Sequence, residues 1–256
     1  MKQFCFTVDD NVRFLRELNA GRAESIFDHP YLALYRRLHE RFGLKIQLNL
    51  FYRDPWFDLS QMTDRYAAQW NENADWLKMS FHSEAETVRP YEFSPYEEVY
   101  ADCKAVQDEI CRFASPAALA KTTTVHYCLN TQGGLQALKD NGVTGLLGLY
   151  GTDEAPRTSY QTKEEDLPRL RAGETVEDDG VIYGAIDLIL NLYSKEEILS
   201  RLEGMKHRPA LRVMIHEQYF YPDYRAYQPD FSEKLEATFA FLTEQGFESR
   251  FFEEMN

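Results

Sequence analysis

Short apolar runs alternate with amphipathic stretches about seven times along the 256 residues, and this alternation limits the fold more than any other feature. Strand then helix, repeated, implies parallel strands joined through crossover helices. With each strand followed by the next in chain order, the simplest arrangement is α/β: a distorted (β/α)7-type barrel of parallel strands with outer helices. One domain over residues 1–256 accommodates it. In such barrels the chemistry sits at the carboxyl ends of the strands.

The runs place those ends. Lys2 to Val8 reads as a first strand ending in Asp9-Asp10, followed by a helical stretch from about Val12 to Asn19. Asp28-His29-Pro30 looks like a helix start with Pro in the first turn. Leu32, Leu34, Tyr35, Leu38 and Phe42 form its stripe, and Gly43 stops it. Leu44, Ile46, Leu48 and Leu50 alternate through a second strand to Phe51, with Tyr52, Trp56 and Phe57 as an aromatic rim. Another helix is expected from Ser60 through Trp70. The run Trp76 to Phe81 is a third strand that delivers His82. Ser94-Pro95-Tyr96-Glu97 has the form of a capping box opening a helix. Thr122 to Cys128 is a fourth strand with His126 inside it, Gly133 to Lys139 a helix, and Val143 to Tyr150 a fifth strand. Residues 151–180 are a polar excursion without a period. Val181 to Asn191 is a sixth strand, Ser194-Lys195-Glu196-Glu197 another capping box, and Leu211 to Ile215 a seventh strand ending in His216-Glu217. A tyrosine-rich loop follows (Tyr219, Tyr221, Tyr224, Tyr227). Then come a helix with Phe231, Leu235, Phe239 and Leu242 on one face and a last strand or tail from Phe247.

Composition removes several classes of function. A net charge of −14 argues against a phosphate-backbone partner, which needs clustered Lys and Arg, so no nucleic acid is expected. No apolar run approaches a membrane span and the amino terminus has no signal-peptide form, so a cytoplasmic protein acting away from membranes is expected. The 4 cysteines show no zinc-like spacing and read as buried reduced thiols.

The ionisable residues at the expected strand ends are Asp9, Asp10, His82 and His216. Glu86 follows His82 by four residues, so a helical turn there would put an imidazole and a carboxylate on one face, half of a metal site. Each residue also has a plainer reading: an Asx turn for Asp9-Asp10, a solvated side chain for Glu86, a core histidine for His126.

Four features, in order, resemble the polysaccharide deacetylase (NodB-homology) family of the glycoside hydrolase/deacetylase superfamily. Thr7-Val8-Asp9-Asp10 is similar to its T-F-D-D motif. His82-Ser83-Glu84-Ala85-Glu86 resembles H-[ST]-x-x-H with Glu in place of the last His. Ala137 to Val143 resembles its helix and following strand, and Val213-Met214-Ile215-His216 its late strand ending in a catalytic His. The resemblance covers most of the chain and implies a metal-dependent hydrolase acting on an N- or O-acyl group of a carbohydrate or similar small substrate. It implies Asp9 as general base, Asp10, His82 and Glu86 as metal ligands, and His216 as general acid. One divalent metal ion is implied, zinc first, with manganese, iron or cobalt as alternatives given the oxygen-rich set. His126, Tyr219, Tyr221 and Trp56 are candidate substrate-binding residues, the aromatics by stacking on sugar rings. The chain departs from the family where an Arg should follow the fourth strand: the segment reads Val125-His126-Tyr127-Cys128. Arg89-Pro90-Tyr91 has the wording but not the place. The departure opens an alternative: a catalytically degenerate carbohydrate-binding protein on the same scaffold.

Overall fold

The computed structural model describes residues 2–86, 91–151 and 158–255. Arg89, Pro90 and the part of the polar excursion at 152–157 lie outside the described residues. In chain order the strands are β1 (Lys2–Asn11), β2 (Ile46–Phe51), the short pair β3 (Arg53–Asp54) and β4 (Phe57–Asp58), β5 (Leu77–Ser83), β6 (Thr122–Thr123), β7 (Gly145–Gly148), β8 (Thr175–Asp178), β9 (Val181–Ala185), β10 (Leu188–Ile189), β11 (Ala210–His216) and β12 (Phe247–Ser249). The helices are α1 (Arg13–Ala20), α2 (Pro30–Phe42), α3 (Ala67–Glu72), α4 (Tyr96–Phe113), α5 (Gln132–Asp140), α6 (Leu167–Arg171), α7 (Lys195–Met205) and α8 (Phe231–Glu244).

One sheet runs β10-β11-β1-β2-β5, all parallel, with β12 added to the start of β1. A second sheet runs β6-β7-β9-β8, parallel except for β8 against β9. Because β9 leads through Ile186-Asp187 into β10, the two sheets join along the chain. At the other seam a single bridge, Met79 to Leu119, and the Ala120 N–H on the Met79 carbonyl at 2.8 Å link β5 to the approach of β6. Among the described residues the expected order of parallel strands is present, as a distorted barrel without a continuous closing ladder.

The alternation in β2 has a meaning that periodicity alone does not supply. All six residues are buried. The strand is covered on both faces, so its polar positions sit inside the protein rather than in water. Gln47 and Asn49 must then find partners. Gln47 Nε2 donates to Asn49 Oδ1 at 2.8 Å and to the Thr122 carbonyl at 2.9 Å, and Ser80 Oγ donates to Asn49 Oδ1 at 2.8 Å. The Thr122 hydroxyl returns a bond to Gln47 Oε1 at 2.9 Å, so side chains tie the first sheet to the second. This network ends on the site described below: Asn49 Nδ2 donates to Asp9 Oδ1 at 2.6 Å.

Several expectations need correction. The helix expected over Ser60–Trp70 is a 3-10 turn (Leu59–Gln61) followed by only α3. Asp58, not Ser60, caps that turn, accepting from the Ser60 N–H. At α4 the box at Ser94 and Glu97 does not form: Ser94 Oγ donates instead to Glu98 at 2.9 Å. The long sixth strand is split into β9 and β10 around Asp187, whose enclosed side chain binds Arg208 at 2.6 Å and the Arg212 N–H at 2.8 Å. The stops of α2 and α8 are as expected, with Gly43 and Gly246 at φ 64° and 78°, where a Cβ would be strained. The four cysteines are free thiols. No helix among the described residues is long and apolar enough to cross a membrane.

Candidate metal centre

The carboxyl end of β1 builds the first part of the site. Its register against β2 shifts between Val8 and Asn11, and Asp10 takes φ 63°, a left-handed conformation that Asp tolerates better than most residues. Such a bulge re-aims a side chain. Here it lets neighbouring carboxyls, Asp9 and Asp10, line one cleft of about 970 Å³. Asn11 locks the bulge: its amide donates to the Val8 and Asn49 carbonyls, and Tyr31 OH donates to its Oδ1 at 2.8 Å.

Asp10, His82 and His126 converge, one ligand atom from each lying within 4.8 Å of the others. His82 Nε2 is 3.0 Å from Asp10 Oδ1, and His126 Nδ1 is 3.2 Å from His82 Nε2 and 3.4 Å from Asp10 Oδ1. Hydrogen bonding decides what these atoms present. His82 Nδ1 meets the Thr124 carbonyl, which only accepts, so the proton is on Nδ1 and a neutral imidazole has its lone pair on Nε2. That lone pair faces a carboxylate oxygen. Burial pushes the His82 imidazole below its ordinary value, against the pull of Asp10. Burial also opposes ionisation of Asp10, yet His126, His216 and His82 hold its carboxyl well below the usual carboxylate range. Two acceptors and a third ring nitrogen facing one another fit a cation between them, and an N2O donor set fits zinc-type coordination.

Of the three expected ligands, Asp10 and His82 converge and Glu86 does not join them. Glu86 is exposed, and it is not among the three converging residues. A helical turn after His82 would bring Glu86 beside it, but β5 ends at Ser83 and the chain bends and turns. His126, expected to bind substrate, is the third residue of the converging group. The fourth strand does not reach Cys128. β6 stops at Thr123, and the chain turns through Tyr127 and Cys128 at φ 61° and 55°. Consecutive left-handed residues are costly and collect at functional sites. Phe51 packs against both imidazoles, its ring centroid 5.2 Å from His82 and 5.0 Å from His126.

Asp9 and His216 flank this group and are paired across β1 and β11. Both are buried or nearly so and both line the cleft. Burial, and then the charge of Asp10, push the Asp9 carboxyl well above its ordinary value. Burial lowers His216. His216 Nδ1 lies 2.8 Å from Asn191 Oδ1, which assigns the proton to Nδ1 and leaves Nε2 for chemistry.

Of the aromatic candidates, Tyr219 lines the cleft and its ring centroid is 6.2 Å from that of His216. Tyr221 is buried, with its ring under Arg13 at 3.9 Å and its OH donating to Glu217, and it lines the neighbouring groove rather than the cleft. Trp56, 75% exposed, lines a neighbouring groove of about 1000 Å³ that meets the cleft at Asp10, Glu86 and Gln218.

Two residues that sequence reasoning passed over follow His216 directly. Gln218 Nε2 donates to Asp10 Oδ2 at 2.7 Å. Glu217 is buried and accepts from the N–H groups of Val12, Arg13 and Phe14 at 2.8, 3.1 and 2.7 Å, capping α1 from the end of the neighbouring strand β11. Burial pushes its carboxyl up to about 7 against the pull of these donors. Replacing Glu217 by Ala would leave several buried N–H groups unpaired. A loss of roughly 3 kcal/mol is expected, read as a fall in Tm of about 6–12 °C by calorimetry.

No family model matches the sequence. No curated protein matches it either. Solved structures do. A family 4 acetyl xylan esterase from Clostridium thermocellum, in complex with a cobalt ion, superposes with a TM-score of 0.55 at 11% identity, over 99% of this chain and 89% of that one. The Bc1960 peptidoglycan N-acetylglucosamine deacetylase gives 0.57 at 10% identity, over 99% and 87%. A 4-alpha-glucanotransferase from Thermococcus litoralis gives 0.60 at 14% identity, but the chain spans only 40% of its length. At such identities the likeness is one of fold, and the same fold carries different reactions. The resemblance to polysaccharide deacetylases read from the ordered motifs therefore extends to the three-dimensional fold of the whole described chain.

Proposed function

We propose that this chain is a metal-dependent hydrolase that removes an N- or O-linked acyl group from a carbohydrate or similar small substrate. The observation that carries the reading is the convergence of Asp10, His82 and His126 in a cleft that also contains Asp9 and His216. The cobalt ion named with the acetyl xylan esterase supports a divalent metal here, with zinc favoured by the donor set and cobalt, manganese or iron as alternatives.

Asp10 Oδ1, His82 Nε2 and His126 Nδ1 would hold the ion. When bound, such an ion polarises an acyl carbonyl and lowers the pKa of water. The remaining work falls to the chain. Asn49 fixes one oxygen of Asp9, and the other accepts a proton from the attacking water. The raised pKa of Asp9 makes it a better base than an ordinary carboxylate. His216 acts in its imidazolium form, which the charge of Asp10 favours: Nδ1–H stays on Asn191 Oδ1 and Nε2–H gives its proton to the departing nitrogen or oxygen as the acyl bond breaks, leaving the neutral ring. Gln218 holds the second oxygen of Asp10.

The second reading, carbohydrate binding without turnover, is favoured by one observation: Asp9 is held by the amide of Asn49, where the family pattern has a guanidinium. Acetate release separates the two. Zinc- or cobalt-loaded protein is expected to release acetate from acetylated xylan or N-acetylated chito-oligosaccharides, and chelation to stop it. Binding of these glycans without acetate from any metal-loaded form would establish the second reading.

A further inference from the structure

Gln218 is placed by a constraint that leaves half of it unused. Its amide meets the carboxylate of Asp10 at 2.7 Å. A carboxylate only accepts, so Nε2 must face Asp10, since the flipped amide would set oxygen against oxygen. This fixes Oε1 as an acceptor on the other side. Gln218 Oε1 is buried and has no partner among the described residues. A buried acceptor left unpaired carries a desolvation penalty, and functional sites are where such groups are kept. Gln218 lines both the cleft and the groove that carries Trp56, beside the candidate ligand Asp10 and two residues after the proposed acid His216. Two more unpartnered buried atoms, Thr124 Oγ1 and His126 Nε2, belong to residues lining the same cleft, so unmet polar capacity collects there.

We infer that Gln218 is a specificity-determining residue: its amide oxygen takes a hydrogen bond from the N–H beside the acyl carbonyl, so the site accepts N-acyl amides in preference to O-acyl esters. The inference rests on the proposed hydrolase reading and narrows it. An amide N–H satisfies Oε1. The bridging oxygen of an ester brings lone pairs to a lone pair and leaves Oε1 unpaired. Sites built to bond a donor reject analogues that lack it more strongly than apolar pockets reject a missing methylene.

The test uses cobalt-loaded protein and two probes, acetohydroxamate and N-methylacetohydroxamate. Both chelate a divalent ion through the same pair of oxygens, and only the first carries an N–H. Binding is read from the visible absorption of cobalt, in the wild type and in Gln218→Met. The wild type is expected to prefer acetohydroxamate by a ratio about tenfold or more above that of the variant. Any steric effect of the N-methyl group persists in the variant and cancels in this comparison, as does a change in cobalt affinity. An equal ratio in both proteins overturns the inference alone. Failure of the wild type to take up cobalt overturns the hydrolase reading and the inference with it.

Discussion

Asp9→Asn is expected to reduce acyl hydrolysis by roughly a hundred- to ten-thousandfold, while metal uptake and the fold stay intact. The separation follows from where Asp9 sits. It is not one of the three converging groups, so the ion loses no ligand. Its structural duty is to accept from Asn49, and an Asn at position 9 still offers an amide oxygen to that donor. The substitution removes the capacity to take a proton. It also removes a buried carboxyl whose ionisation is opposed by burial and by Asp10, so the variant is expected to melt no lower than the wild type. Residues kept for chemistry often cost stability. Acetate release, metal titration and calorimetry on one preparation check the three parts. Undiminished turnover would remove Asp9 from the mechanism.

The second large effect concerns Asp10. Asp10→Asn is expected to weaken divalent metal binding by at least about a hundredfold, beyond what loss of an outer-shell partner usually causes. Asn suits this experiment because residue 10 has φ 63°, and Asn enters the left-handed region more readily than Ala. The backbone bulge therefore survives, and so does the bond from Gln218, now to an amide oxygen. What disappears is the charge that balances the cation between His82 and His126. Isothermal titration with zinc measures the loss. Unchanged affinity would place the ion elsewhere.

Legibility in the sequence followed the regularity of the backbone. Asp9, Asp10, His82 and His216 were readable because each follows an apolar run long enough to be a strand, and strands deliver side chains to one end of a parallel barrel. The ordered strands and most helices were readable for the same reason. Placing Glu86 beside His82 needs the i, i+4 relation of a helix, and the chain bends after Ser83 instead. Thr122 to Cys128 is β-rich and reads as a strand with His126 inside it, yet the chain turns at Tyr127 and Cys128 through left-handed conformations that β-propensity does not register. Alternation marks β2 as a strand, but nothing local says that both of its faces are covered. Gln218 and Glu217 carry no motif. Only their position just after His216 marks them.

The central claim is that Asp10, His82 and His126 form the metal centre and Glu86 does not belong to it. Zinc titration of the wild type beside His126→Ala and Glu86→Ala tests this most directly. The wild type is expected to bind one ion per chain, Glu86→Ala to match it within about threefold, and His126→Ala to bind at least about a hundredfold more weakly. A wild type that takes up no divalent ion, or an affinity that falls with Glu86 and not with His126, would contradict the account.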